Sequence, residues 1–308
     1  MIEKLSICYK ENRQKMIEKR LFLLLVFITC SVSAQIKGIV KDSLSGKPIP
    51  YVNIWVEGEN IGSTSEENGT FLINSDEKEK KLIFSTLGYE KKIIIASEVS
   101  EVRLKPILYS LNEVVISKSI GTKNIEIGKT KNEIYQAFDN GPKIDTKFFP
   151  YFSSYKKTKY LKQVSIYTDS RIENASIKIH FYTMDSTGFP HEEMLDKDFV
   201  VTVKKGTRIN RFDLTTFNLK FPKNGLFVGF EKLMIEKNKS EKTITDLNTN
   251  LSQVQKTYYP FVLYNYVEKE VFFTFSGGIW HRKTKENNSD SSGKMKINEP
   301  VITLNLSN

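Results

Sequence analysis

From Gln35 onward, apolar and polar residues alternate with period two, the spacing of a strand that turns one face to a core and the other to water. Over residues 51–56, Val52, Ile54 and Val56 share one face, and Tyr51, Asn53 and Trp55 share the other. Ile36, Ile39 and Val40 begin the pattern, and residues 71–73, 81–89 and 92–95 repeat it in short runs. Turn residues stand between the runs. Gly46 admits a positive φ, and Pro48 and Pro50 fix an extended approach to residues 51–56. Asn68-Gly69 predicts a hairpin, since both residues tolerate the left-handed conformation. The spacing of these signals predicts a compact sandwich of about seven short strands.

Residues 117–141 are a polar passage rich in Lys, Asn and Gly, with a first strand expected at 124–127 and a helical turn at 132–138. Alternation then returns at 148–152, 160–167, 175–182, 199–203, 211–214, 225–230, 270–275 and 300–304. That makes about eight strands, the number of a jelly roll. Within 175–182, Ile177, Ile179 and Phe181 point inward, which puts His180 on the outward face. Stretches 237–256 and 282–294, rich in Asn, Ser, Lys and Thr, are read as loops too polar to bury. Gly277-Gly278, between strand residues, is read as a bulge or turn. The expected organisation is all-β: one sandwich over 35–117, a connector over 118–141 and a second, jelly-roll-like sandwich over 142–308.

The first sandwich carries a resemblance. Gly38, Val40 and Asp42 are followed by Gly46 and Pro48, then by Val52, Ile54, Val56 and Gly58. Gly62-Ser-Thr-Ser65, Asn68-Gly-Thr-Phe71, Leu82, Phe84-Ser85 and Gly88-Tyr89 complete the series in one order. It resembles the carboxypeptidase-regulatory-like domain, which in Bacteroidetes stands at the N-terminus of many envelope proteins, TonB-dependent receptors among them. The resemblance implies a prealbumin-like or Ig-like β-sandwich. Its motifs are turns and core positions, so they imply a fold and no activity. Residues 104–107 and 111–117 are similar to the strand that closes this domain in the receptors, just before their plug. There the likeness to receptors ends. A barrel of about 22 strands at roughly ten residues each needs ~220 residues in strands alone, more than remain after Ser117. Repeated alternating segments with aromatic girdles are also missing. The second half is similar, more loosely, to the jelly-roll region that comes after the same domain in other Bacteroidetes proteins. Tyr182, Asp185, Gly188 and Pro190, the 193–198 run, Phe212-Asp-Leu214 and residues 225–230 carry that likeness. Jelly rolls of this shape include many carbohydrate-binding modules, an analogy of fold.

Ahead of Gln35, Lys19-Arg20 precede the apolar run 21–28, and Ser31-Val-Ser-Ala34 supplies small residues. A basic region, a short apolar run and a small-residue site predict a signal peptide over residues 1–34. The run is shorter than the ~18 apolar residues that span a bilayer, so no membrane-spanning segment is expected after cleavage. Met16 is an alternative start. Cys30 is an alternative lipid anchor, although Phe27-Ile-Thr29 before it lacks small residues. Cleavage removes Cys8 and Cys30, the only two cysteines, and leaves 40 basic and 33 acidic residues. The mature chain then has no thiol for a disulfide, a metal or nucleophilic attack, and must rely on its cores. Lysines are scattered among glutamates, as at 77–81 and 236–242, so the positive balance reads as solvated surface and nucleic acid is not an expected partner.

Catalytic patterns are sparse. The histidines are His180, His191 and His281, and three residues after them stand Thr183, Met194 and Thr284, so no His-x-x-Glu zinc set exists. Leu195 occupies the second histidine position of a His-Glu-x-x-His motif. No Gly-x-Ser-x-Gly elbow or phosphate-cradling loop appears, and no motif calls for a cofactor. Glu192, Glu193, Asp196 and Asp198 lack the pattern of a calcium loop and are read as a solvated turn, and His180 as a solvated histidine. A Ser-His-Asp site is spatial, and the sequence leaves it open. Four aromatics remain as candidate ligand contacts: Trp55, Tyr258, Tyr259 and Trp280, at strand faces and loop edges. The alternative is that Trp55 is covered by the neighbouring domain and Trp280 caps a sandwich edge. The expectation is a non-enzymatic protein exported to the periplasm, outer membrane or cell surface, binding an envelope protein or a glycan. The alternative is a peptidase or glycan-active hydrolase with an unrecognised site.

Overall fold

The computed structural model describes residues 35–75, 79–107, 123–129, 135–138, 141–246, 251–284 and 295–308, with Met16, Lys19 and Thr249 as isolated positions. The expected signal segment 1–34 with Cys30, apart from Met16 and Lys19, the expected closing strand at 111–117 and half of the expected connector 118–141 lie outside the described residues. The described chain is almost entirely strand and turn.

Seven strands build the first sandwich: β1 (Gln35–Asp42), β2 (Asn53–Val56), β3 (Gly62–Thr64), β4 (Thr70–Asn74), β5 (Lys81–Ser85), β6 (Lys92–Ile95) and β7 (Glu101–Leu104). One sheet has the order β4-β1-β7 and the other β3-β2-β5-β6. Val40, Val52, Ile54, Phe71, Phe84 and Val102 pack between them. Strand β1 runs close to Ser100, where a Cβ on Gly38 would stand 2.7 Å from the Ser100 carbonyl oxygen, so only glycine fits. The Asp42 carboxylate accepts the Leu44 and Ser45 N–H groups at 2.8 and 2.7 Å and the Tyr89 hydroxyl at 3.0 Å. It therefore ties the first turn to the end of the domain. The Asn68-Gly69 turn does not close the hairpin that the sequence predicted. It carries the chain from β3 to β4, which belong to different sheets.

The second sandwich is built from β8 (Asn124–Ile127), β9 (Tyr135–Ala137), β10 (Ile144–Phe149), β11 (Tyr160–Ser170), β12 (Ala175–Met184), β13 (Pro190–Glu193), β14 (Phe199–Val203) and β15 (Gly206–Asp213). It continues through β16 (Leu226–Lys232), β17 (Lys239–Thr245), β18 (Ser252–Tyr258), β19 (Phe261–Lys269), β20 (Val271–Ser276), β21 (Ile279–Thr284), β22 (Met295–Pro300) and β23 (Ile302–Ser307). One sheet has the order β13-β12-β16-β10-β20-β21, with β14 also against β12. The other has the order β22-β19-β11-β23-β8, with β15 also against β11 and β9 against β19. Strands β10, β12, β16 and β20 lie in the first and β11, β15, β19 and β23 in the second, so the chain crosses between sheets repeatedly, as a jelly roll does. Ile177, Ile179, Phe181, Val228 and Phe230 of one sheet meet Val164, Ile166, Leu304 and Leu306 of the other in the core.

Further local expectations fail: among the described residues the second half has sixteen strands where about eight were expected, with β19 and β22 unmarked by the alternation. The stretch 237–256 is no loop: β17 and β18 pair over seven residues, from Lys239 with Tyr258 to Thr245 with Ser252, and form a two-stranded sheet of their own. Polarity marked the stretch as exposed, but Thr243, Ile244 and Val254 favour a strand, and a hairpin saturates its backbone without burial. Tyr135–Ala137, expected as a helical turn, is strand β9. Arg282 to Thr284 belong to β21, and 285–294 lie outside the described residues.

Candidate functional site

Alternation in β12 sends Ile177, Ile179 and Phe181 into the core and Lys178, His180 and Tyr182 to the opposite face. The strand register extends that face across the sheet. Lys178 stands beside Glu231, Glu231 beside Ile144, Ile144 beside Phe275 and Phe275 beside Trp280, one row over five strands. This face is covered over Lys178, Glu231 and Ile144 and reaches a half-buried edge at Phe275 and Trp280. The first sandwich lies on it, and polar side chains wire the two together.

Lys178 is 1% exposed, and its Nζ donates to the Tyr51 carbonyl at 2.8 Å, 3.0 Å from Asp198 and 3.9 Å from Glu231. Asn53 Nδ2 donates to Glu231 at 2.8 Å, and Thr86 Oγ1 donates to Asp198 at 2.7 Å. His180 stands between two carboxylates, Nδ1 2.9 Å from Glu193 and Nε2 3.0 Å from Glu231. The other Glu193 oxygen accepts the Phe181 N–H at 2.6 Å. Farther along the contact, Met234 N–H reaches Thr64 Oγ1 at 3.1 Å and Glu236 N–H reaches Glu66 at 2.8 Å. Tyr51, Asn53, Thr64, Glu66 and Thr86 belong to the first sandwich, so Lys178, Glu231, Asp198, Met234 and Glu236 each gain a bond across the boundary, while His180 is held within the second sandwich.

Charge follows from this placement. Burial pushes the His180 pKa down, but Glu193 and Glu231 outweigh it and raise it to about 9, so the ring is an imidazolium at neutral pH. Burial likewise opposes a charged Lys178, and Asp198 and Glu231 overcome it and raise its pKa. Burial would raise Asp198, yet Lys178 and the Thr86 hydroxyl hold its pKa below the ordinary value. Burial, reinforced by Glu193 and Glu231, lifts the Tyr182 phenol well above 10. With both ring nitrogens donating, His180 has no lone pair to act as a base or bind a metal. Among the described residues, no group of three His, Cys, Asp or Glu side chains is arranged to hold a metal ion.

Beside this network lies a cavity of about 240 Å³. Trp280, Tyr182 and Phe275 form its aromatic side, and Glu193, Asp198 and Asn53 its polar side. Trp280 meets Tyr182 and Phe275 edge to face, with ring centroids 5.2 Å from each. Trp280 is the one proposed ligand contact that stands here, half-buried at the edge. Trp55 does not: it is 2% exposed, and it packs edge to face on Phe275 at 5.9 Å, beneath the domain contact. The face of β2 that alternation turned outward is the face the second sandwich covers. Tyr259 is 5% exposed in the second core, and Tyr258 is half-buried opposite Lys239 at the foot of the hairpin. Neither lines the cavity.

His180, expected to be solvated, is 8% exposed, and Glu193 and Asp198, expected in a solvated turn, are its partner and that of Lys178. His191, His281 and Glu192 are exposed. Lys178, Glu231, Asn53 and Thr86 were missed. The available signal was Glu231-Lys232 continuing a strand that is otherwise apolar from Leu226, with Lys178 and His180 alternating along another buried strand.

Residues 36–116 match the family model of the CarboxypepD_reg-like domain, an Ig-like β-sandwich, in agreement with the seven strands from Gln35 to Leu104. No curated protein matches the chain. No helix among the described residues is long and apolar enough to cross a membrane.

Proposed function

We propose that this is a non-enzymatic protein exported to a bacterial envelope of the Bacteroidetes type, and that it binds a glycan in the cavity between its two sandwiches. The lining of that cavity carries the reading. Trp280 and Tyr182 present aromatic surface for the C–H face of a sugar, and Glu193, Asp198 and Asn53 offer acceptors and a donor for hydroxyls. The Lys178–His180 network holds these groups in place before a ligand arrives, which lowers the ordering cost of binding. Export is supported by the basic, apolar and small-residue pattern ahead of Gln35 and by the absence of cysteine after it. With His180 committed to two carboxylates, the cavity offers no free general base of the histidine kind, which favours binding over hydrolysis.

Residues 35–308 should bind a neutral oligosaccharide on a glycan array, and calorimetry should show Trp280→Ala weakening it about tenfold, the worth of one aromatic contact. Three outcomes sink the reading: no glycan bound, affinity unchanged in Trp280→Ala, or turnover of the bound glycan that Glu193→Gln abolishes.

A further inference from the structure

The row containing Lys178 and Trp280 is half of the outer face of the sheet, and the other half lies beyond that contact, with Phe227 and Phe273 2% and 4% exposed and Phe148 half-buried. Between β10 and β20 the ladder is two residues long, Ile144 with Phe275 and Asp145 with Thr274. Yet β10 runs on to Phe149 against β16, and β20 starts at Val271 against β21. The sheet therefore splits. At the apex Thr146 Oγ1 donates to the Phe273 carbonyl at 3.0 Å. Beyond it opens a cleft of about 490 Å³. Phe148 and Phe227, with ring centroids 4.7 Å apart, and Phe273, 5.3 Å from Phe227, make its apolar wall. The turn before β13 completes it. Asp185 accepts the Thr187 and Phe189 N–H groups at 2.8 and 2.9 Å, and this fixes Phe189 edge to face on Phe273 at 5.0 Å.

Two features select the occupant. The first is backbone. In a strand, residues two apart direct their N–H and C=O the same way. The Phe273 carbonyl points toward β10, so the Val271 pair does as well. The Ile144 carbonyl, which accepts Thr274 Oγ1 at 3.3 Å, sets the opposite direction for Thr146 and Phe148. Two strand edges thus face each other across an apolar cleft, and among the described residues no strand pairs with either edge past Asp145 and Thr274, while Glu299 of β22 lines the cleft from behind. An acyl chain would leave those backbone groups unpaired, and an extended peptide satisfies them. The second is charge. Exposed Glu268 and Glu270 stand on one rim and exposed Arg282 on another, while Glu299 behind the split is held by Lys147 at 3.4 Å and Lys269 at 3.1 Å. A rim of both signs suits the mixed polarity of a peptide better than a lipid tail.

We propose that the split between β10 and β20 is a second binding site, which takes an extended apolar segment of another protein and seats one apolar side chain among Phe148, Phe227 and Phe273. It is separate from the cavity at Trp280 and does not rest on the glycan reading. The probe is an acetylated, amidated heptapeptide alternating Thr with Phe and Val, fluorescently labelled and titrated into residues 35–308. Saturable binding is expected. N-methylation of alternate peptide amides should weaken it at least fivefold, a change that leaves the protein untouched. Val271→Pro, which removes one edge N–H at the first residue of β20, should weaken it similarly while glycan binding and the circular dichroism spectrum stay unchanged. No saturable binding, indifference to N-methylation, or laurate competing as strongly as unlabelled peptide would each overturn the proposal.

Discussion

One face of one sheet has two fates in this protein. At one end, Lys178, His180 and Glu231 lie under the first sandwich, and each charge has partners at hydrogen-bond distance. At the other end, Phe148, Phe227 and Phe273 line an open cleft whose rim charges, Glu268, Glu270 and Arg282, are exposed. The polar groups are buried in a domain contact, whereas the apolar ones pack on one another, Phe227 and Phe273 being 2% and 4% exposed and Phe148 half-buried, below a cleft with a charged rim. Desolvation explains the arrangement. Charges tolerate burial only when paired; here Asp198, Glu193 and Glu231 of the same sandwich supply the countercharges, and the first sandwich adds the Tyr51 carbonyl and the Asn53 and Thr86 side chains. The phenylalanines of the cleft need no such pairing, and an occupant would cover chiefly the half-buried Phe148 and the strand edges beside it.

The comparison predicts unequal costs of mutation. Lys178→Met removes the cation from between Asp198 and Glu231 and leaves two largely buried carboxylates facing each other, so a loss of about 3–5 kcal/mol is expected. Arg282→Ala at the open end should stay within about 0.5 kcal/mol. Urea denaturation of residues 35–308 checks both. Comparable losses at the two positions would erase the distinction between a wired end and an open one.

A smaller effect separates pairing from packing. The folded pKa of His180 is raised to about 9 from an ordinary 6.5. A raised pKa means stability that is fully present below pH 6.5 and lost as pH climbs through about 9, worth about 3 kcal/mol over that window. Asp198 acts in the other direction. Its pKa is lowered, so its contribution is present above the ordinary carboxylate range and lost as pH falls below it. The stability difference between the native chain and His180→Gln should therefore shrink as pH rises from 6 to 10. A difference that stays constant would mean that the ring contributes through its shape and not its charge.

Much of this fold was legible. Period-two alternation located most strands of the first sandwich and about half of those in the second, and Gly38, Asp42 and Tyr89 carried the family resemblance because they build a close strand approach and a tied turn. Alternation also placed His180 and Trp55 on the faces turned away from their own cores. It could not say what lies against those faces. Parity is a property of one strand, whereas cover depends on a second domain more than a hundred residues away in sequence. The hairpin of β17 and β18 was missed for a related reason, because polar composition reports exposure and not backbone pairing.

Trp55 offers the finest test of the covered end. Its ring packs on Phe275, but its Nε1 is buried without a hydrogen-bond partner, alone in this respect among the side chains of the first sandwich that the structure describes. An unmet buried donor costs about 1–3 kcal/mol, while trimming the indole to a phenyl ring gives up packing of similar size. The two terms oppose each other, so Trp55→Phe should change stability by less than about 1 kcal/mol, whereas Trp55→Ala should cost about 3–5 kcal/mol. If both substitutions are equally harmless by urea denaturation, Trp55 is not clamped between the sandwiches, and the ring belongs again among the candidate ligand contacts. If Trp55→Phe is as damaging as Trp55→Ala, the indole N–H has a partner, and this contact is satisfied throughout, as the charges beside it are.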